Sequence, residues 1–231
     1  MMLHAPRPRR AQRANALVMG TLVVALCALT SCEKRALPPN TPPSPRTHLV
    51  GGTLVFSDDF ERSELGDNWQ TKHPGWKLKG GALNDTNAKN AGVWLTQDLP
   101  ERVRVEFTAR SEPLEDGKPF PGDLKCEIFA TTPEHQAGYV LINGGWSNRL
   151  DVIARLDEHG KDRLTKDSSR VEPSVPYRWA VVRVDDTVHW FRDGKLVLSF
   201  VDAAPVAGRY FGFNNWASNA FYDDLAIYAL D

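Results

Sequence analysis

The chain has 231 residues, 28 Lys and Arg against 29 Asp and Glu, 42% hydrophobic residues, seven Trp and three Cys. A formal charge of −1 without a clustered Lys/Arg stripe excludes nucleic acid as the expected partner, because a polyanion needs a basic footprint that releases counterions. Three cysteines exclude a disulfide-built scaffold.

The first element is a leader. Arg7, Arg9, Arg10 and Arg13 give it a positive end, and an apolar run from Ala14 to Leu29 follows that is short for a bilayer span. Leu29-Thr30-Ser31-Cys32 closes it and resembles the signal of bacterial lipoproteins. The resemblance implies removal of residues 1–31, diacylation of Cys32 and a membrane tether at that residue in the bacterial cell envelope. A plain secretory signal is the alternative. The leader holds four of the basic and none of the acidic residues, so 24 against 29 remain, a formal charge of −5.

Residues 32–51 form the second region, with Pro38, Pro39, Pro42, Pro43 and Pro45 among small and polar residues. They read as an extended polyproline stalk that at about 3.1 Å per residue spans on the order of 50 Å. The folded domain is expected over residues 52–231 and contains all seven Trp. From Gly52 the chain shows short runs of period-2 alternation broken by Gly, Pro, Asn and Asp, with no sustained helical period. Strands are expected at 53–58, 76–83, 92–97, 123–129, 138–143, 149–156, 209–215 and 221–229. In the clearest one Val103, Val105, Phe107 and Ala109 face inward, while Arg102, Arg104, Glu106, Thr108 and Arg110 face solvent. A further run, Tyr177 to Val184, leads into Val188 to Leu198, whose Asp193-Gly194 marks a two-residue hairpin turn. A dozen short strands without helices define an all-β sandwich.

Phe56-Ser57-Asp58-Asp59-Phe60-Glu61 with Leu65-Gly66-Asp67-Asn68-Trp69, the Val188–Leu198 hairpin and Phe221-Tyr222-Asp223-Asp224-Leu225-Ala226-Ile227 resemble the concanavalin A-like lectin/glucanase superfamily. The likeness covers roughly residues 53 to 230. It implies a jelly-roll β-sandwich of two curved antiparallel sheets, with ligands often held on the concave one. The superfamily includes lectins, laminin-G-like modules, family 16 glycoside hydrolases and keto-disaccharide hydrolase-like domains, so the fold does not choose a function.

Gly122-Asp123-Leu124-Lys125-Cys126-Glu127 carries the first candidate chemistry. Leu124, Cys126 and Ile128 alternate toward the core, which makes Cys126 a buried thiol and puts Asp123, Lys125 and Glu127 on the opposite face. Family 16 hydrolases carry Glu-x-Asp-x-Glu on such a strand. Here only Glu127 matches, as acid/base, with a shorter Asp123 as nucleophile or base and Lys125 between them. An interposed ammonium favours the charged form of both carboxylates, against the raised acid that retaining cleavage needs. A salt-bridged ladder on a solvent-facing sheet is the competing reading.

Arg149, Asp151 and Arg155 alternate with Leu150, Val152 and Ala154, which predicts a second charged face beside the first. Between the two strands, Asn143-Gly144-Gly145-Trp146-Ser147-Asn148 reads as a binding loop, since an indole stacks on a pyranose while amides read its hydroxyls. Asn214, Asn215 and Trp216 supply the same chemistry later in the chain, with Phe211 and Phe213 as core. The combined expectation is a saccharide or polysaccharide held by Asp123, Lys125, Glu127, Asn143, Trp146, Asn148, Arg149, Asp151, Arg155, Asn214, Asn215 and Trp216. A glycoside hydrolase and a laminin-G-like protein-interaction module are the alternatives. Asp58, Asp59, Asp223 and Asp224 meet if the terminal strands pair, which would offer calcium a carboxylate site. Oligomeric state has no signature in the sequence.

Overall fold

The computed structural model describes residues 44–86, 88–114 and 122–231. The leader, Cys32 and most of the proline run lie outside the described residues.

Alternating side chains produce strands in chain order: β1 Thr53–Asp58, β2 Trp69–Thr71, β3 Lys77–Leu78, β4 Leu83–Thr86, β5 Val93–Leu95, β6 Val103–Glu112, β7 Leu124–Ala130 and β8 Tyr139–Gly144. They continue as β9 Leu150–Arg155, β10 Arg163–Asp167, β11 Tyr177–Val184, β12 Thr187–Arg192, β13 Lys195–Val201, β14 Tyr210–Asn215 and β15 Asn219–Ala229. An eight-stranded sheet runs β13-β12-β11-β6-β15-β4-β3 with β1 beside β15, and a seven-stranded sheet runs β10-β9-β8-β7-β14-β5-β2. Every pairing is antiparallel. The two curved sheets stack as the jelly-roll sandwich of the concanavalin A-like fold.

The core between them is aromatic. Phe213 stacks on Tyr222 at 4.3 Å, Phe107 meets Phe213 edge-on at 5.0 Å, and Trp179 packs on Trp190 at 4.5 Å. Val103, Val105, Phe107 and Ala109 all point into it, as do Leu124, Cys126 and Ile128. Burial pushes the Cys126 thiol well up, which leaves it an inert core group. Asp193 and Gly194 both adopt positive φ (51° and 70°), the backbone that a tight β12–β13 hairpin requires. Strands β2 and β10 are additions to the sequence expectation, and the expected 76–83 strand divides into β3 and β4 around Gly80-Gly81.

The outer face of β6 is half-buried from Glu106 to Glu112 and closed at Arg104. Arg104 is only 4% exposed, pairs with Glu106 at 2.6 Å, covers the Tyr228 ring and donates to the carbonyls of His48 and Gly51. Those carbonyls belong to the end of the expected stalk, which from Pro45 to Leu49 is a 3-10 turn rather than an extended segment. Leu49 packs on Val182, Val184 and Phe191, outside the main core. The entering chain thus lies on the outer face of the eight-stranded sheet, opposite the outer face of the seven-stranded one.

Candidate functional site

The seven-stranded sheet carries a hollow on its outer face. Cross-strand register puts Lys125, Ile142 and Val152 in one row and Glu127, Val140 and Ala154 in the next, with Asn214 beside Lys125 and Gly212 beside Glu127. The aliphatic members of these rows form their own cluster, on which Trp146 and Leu150 lean. Two cavities open on this face. One, of about 290 Å³, is walled by Gln70, His73, Trp94 and His135; the other, of about 300 Å³, by Asp123, Trp146, Glu158 and Trp216, and Asn90 borders both.

Asp123, Lys125 and Glu127 share one face, but the expected solvent-facing ladder is buried, with Lys125 1% and Glu127 0% exposed. Loop residues absent from the sequence reading bury it. Lys125 Nζ donates to Glu158 Oε2 (2.9 Å) and Asn90 Oδ1 (2.7 Å), and lies 3.2 Å from Asp123 Oδ1. His135 Nδ1 meets Glu127 Oε1 at 2.7 Å, and its Nε2 lies 3.7 Å from Glu158 Oε1, an ionic contact rather than a hydrogen bond. Asn214 Nδ2 also donates to Glu127 Oε1 (2.8 Å), and the Gln136 amide donates to Oε2 (2.9 Å). From the opposite sheet Tyr222 inserts its hydroxyl at the β7–β14 seam, accepting from the Lys125 amide and donating to the Asn214 carbonyl.

Burial opposes charge on His135, but the hydrogen bond with Glu127 and the proximity of Glu158 outweigh it and raise its pKa to about 9. Glu158 moves the other way: burial would raise it, and His135 with Lys125 draws it down to about 2. At Asp123 burial prevails over Lys125, and the carboxyl sits above its ordinary value.

The Trp146 loop has a backbone of its own. After Gly144 (φ 72°), Trp146, Ser147 and Asn148 have φ of 51°, 62° and 62°. Three successive side-chain-bearing residues in the left-handed region cost roughly 1 kcal/mol each or more. Both ends of the Asn148 amide hold the turn, Oδ1 accepting from the Val171 amide and Nδ2 donating to its carbonyl, each at 2.9 Å. Arg149 Nε adds a bond to the Trp146 carbonyl. The turn leaves Trp146 over the aliphatic floor and beside the cavity.

Several expected binding residues lie elsewhere. Ile153, not Val152, faces the main core, so β9 is turned over relative to the sequence reading. Asp151 and Arg155 consequently point between the sheets. Asp151 Oδ1 accepts from Asn143 Nδ2 (2.6 Å), Gly144 N (3.2 Å) and Ser168 Oγ (2.8 Å), while Asn143 Oδ1 accepts from Arg192 of the other sheet (3.0 Å). Arg155 pairs with Asp202 at 3.0 Å. Asn143, Asp151 and Arg155 are inter-sheet braces, Asn148 is a turn clamp, and Arg149 is exposed beside the turn. Asn214 is committed to Glu127, Asn215 is fully buried next to Leu124, and Trp216 stays 45% exposed on the cavity rim.

The terminal strands do pair, Asp58 opposite Leu225. Their carboxylates are already occupied: Asp58 accepts from Arg62, from Trp69 Nε1 (2.8 Å) and from the Phe60 amide, Asp59 from the Glu61 amide, and Asp223 from the Asp224 amide. Among the described residues, no group of three or more His, Cys, Asp or Glu is arranged to hold a metal. Asp58, Asp59 and Asp223 thus cap turns and, at Asp58, a guanidinium, while Asp224 lines a cavity with Asp58 and Asp59.

No family model and no curated protein matches this chain. Solved structures do. A laminarinase from Flavobacterium sp. UMI-01 superposes with a TM-score of 0.59 at 13% identity, over 77% of this chain and 100% of the other. The carbohydrate recognition domain of Emp47p gives 0.56 at 18% identity over 76% and 96%. The carbohydrate binding module CBM66 from Bacillus subtilis gives 0.57 at 12% over 72% and 98%. At such identities the likeness establishes the fold, and that fold carries a hydrolase and two binding domains alike.

Proposed function

We propose that this protein is a lipid-anchored bacterial envelope protein whose jelly roll binds a glycan on the outer face of the seven-stranded sheet. The observation that carries the reading is the cavity between Trp146 and Trp216, edged by Asp123, Glu158 and Asn90. Indole walls with carboxylate and amide edges match the two kinds of surface a pyranose offers, apolar C–H faces and a hydroxyl rim. A strained turn that fixes one of those indoles supports a binding role, since such strain concentrates at ligand clamps. The solved structures named above include proteins that act on or bind carbohydrates.

Hydrolysis receives less support. Glu127 would have to exchange a proton with substrate, yet it is fully buried and both oxygens already accept from His135, Asn214 and the Gln136 amide. The lipid anchor rests on the Leu29-Thr30-Ser31-Cys32 motif.

Binding is tested on a panel of neutral, amino and acidic glycans with the wild type and Trp146→Ala. Retention by wild type that falls at least tenfold in the variant is the expected result; wild-type silence across the panel, or capture of a protein partner unaffected by added sugar, overturns it. The anchor is tested by palmitate labelling: Cys32→Ser should lose the label and leave the membrane fraction, and a variant that keeps both removes the assignment.

A further inference from the structure

The charges around the Trp146–Trp216 cavity do not balance, and the imbalance falls on one residue. Among the described residues the cluster holds three carboxylates, Asp123, Glu127 and Glu158, and two cations, Lys125 and His135. Glu127 is served by His135, Asn214 and a backbone amide. Glu158 is served by Lys125, Asn90 and His135. Asp123 has only the flank of Lys125: its Oδ1 is buried, 3.2 Å from the ammonium, and accepts no hydrogen bond from any described residue. Two Nζ hydrogens of Lys125 go to Asn90 and Glu158, and its 3.2 Å approach to Asp123 Oδ1 is an ionic contact outside hydrogen-bond geometry.

We infer that the sugar unit held between Trp146 and Trp216 carries a protonated amine, with Asp123 as its counter-ion. When ionised, Asp123 accepts and does not donate, so the group placed against it in that form is a donor, and a cationic donor both favours the ionised form and restores the local charge balance. The indoles favour the same choice, because their faces attract cations. A uronic acid would bring a carboxylate toward Asp123 and Glu158 and be repelled. The other cations at the rim do not fill this role. Exposed His159 walls the cavity but lies against Glu158, at 3.6 Å, rather than against Asp123, and Arg163, which is not a wall residue, covers the Trp146 ring while donating to the Glu158 carbonyl.

A pH signature follows from the same geometry. Burial holds the empty-site Asp123 carboxyl above its ordinary value, and a bound cation favours its ionised form. Affinity for the amine therefore rises as pH rises through the Asp123 titration, and falls again only when the amine itself deprotonates.

The inference rests on the glycan-binding reading, and one titration separates their failures. Oligosaccharides of glucosamine, N-acetylglucosamine, glucose and glucuronate are titrated into the full chain, with tryptophan fluorescence as the readout. The glucosamine oligomer should bind at least tenfold more tightly than the acetylated and glucose oligomers, and glucuronate should bind least. High salt should shrink that preference, and Asp123→Asn should abolish it. Equal affinity for amine and hydroxyl oligomers overturns the inference and leaves glycan binding standing; silence toward all four, with silence across the wider panel, overturns both. A tenfold preference that survives intact in Asp123→Asn removes Asp123 from the role. Should that variant fail to fold, the wild-type ranking and its salt dependence decide the matter.

Discussion

The seven-stranded sheet carries a buried polar cluster on each face, and the two are built to different ends. On the inner face Asn143 and Asp151 meet Ser168 and Arg192, and Arg155 with Tyr139 meets Asp202, so hydrogen bonds brace one sheet to the other. On the outer face Lys125, Glu127 and Glu158 are equally buried and His135 is half-buried, but their cluster runs out into a cavity at Asp123. Closure onto the opposite sheet on one side and an ending at a cavity on the other distinguish groups that hold the fold from groups left for a ligand.

The largest expected effect tests the outer cluster. Lys125→Met keeps the apolar stem and removes the ammonium, leaving Asp123 and Glu158 facing each other without their shared cation. Breaking a buried ion pair from one side costs about 3–5 kcal/mol. Urea denaturation should show that loss, and a midpoint close to wild type would mean the cluster is solvated and the contrast between the faces is lost.

Next in size, Asp151→Ala strips the acceptor from Asn143, Gly144 and Ser168. Buried donors left unpaired cost about 1–3 kcal/mol each, and partial rearrangement should bring the total to roughly 3 kcal/mol. Glycan affinity of the folded fraction should hold within about twofold, because a residue between the sheets does not reach the cavity. A variant of normal stability with affinity lost would reverse the roles given to the two faces.

The outer cluster also titrates. His135 moves from 6.5 to about 9 on folding, so its stabilisation is complete below pH 6.5 and drains away as pH rises toward 9. Glu158 moves from 4.5 to about 2, so its contribution is complete above pH 4.5 and is lost as pH falls toward 2. Stability should form a plateau between about pH 4.5 and 6.5, with roughly 2 kcal/mol given up on the alkaline limb. His135→Gln should flatten that limb, and denaturation midpoints of wild type that stay level from pH 6 to 9 would contradict the pairing.

How much of this could be read from the sequence differs between the faces for a physical reason. Strand β6 and the Leu124-Cys126-Ile128 side of β7 obey strict alternation because one side of each is apolar and the other is not. Asp193-Gly194 marked its hairpin because few residue pairs accept two successive positive φ values. Strand β9 departs from the alternation expected of it because it is buried on both sides: Ile153 serves the main core and Val152 and Ala154 serve the outer cluster. Polarity then no longer marks a side, and Asp151 and Arg155 take their partners between the sheets. The site partners were hidden by distance. Glu158 and Asn90 reach Lys125 from 33 and 35 residues away, both from loops whose periodicity carries no signal, and His135 folds back from the β7–β8 connection. The surplus of carboxylate over cation in Asp-Leu-Lys-Cys-Glu was the one hint that loop donors had to arrive.

The smallest expected change in stability belongs to Trp216→Ala, and it separates the two faces most cleanly. Trp216 follows β14 immediately, is joined to Lys89 by an isolated bridge, and stays 45% exposed although it walls the cavity. Its loss removes little buried area and, among the described residues, no side-chain hydrogen bond, so the denaturation midpoint should correspond to a change within about 0.5 kcal/mol. Binding should respond far more, because a half-exposed indole facing Trp146 contributes its area only when a sugar covers it; a fall of about tenfold, or roughly 1.4 kcal/mol, is expected. Intrinsic fluorescence during a glycan titration and urea unfolding of the same preparation measure the two quantities side by side. Stability lost with affinity kept would make Trp216 a packing residue, and the cavity would then need another wall to hold a ligand.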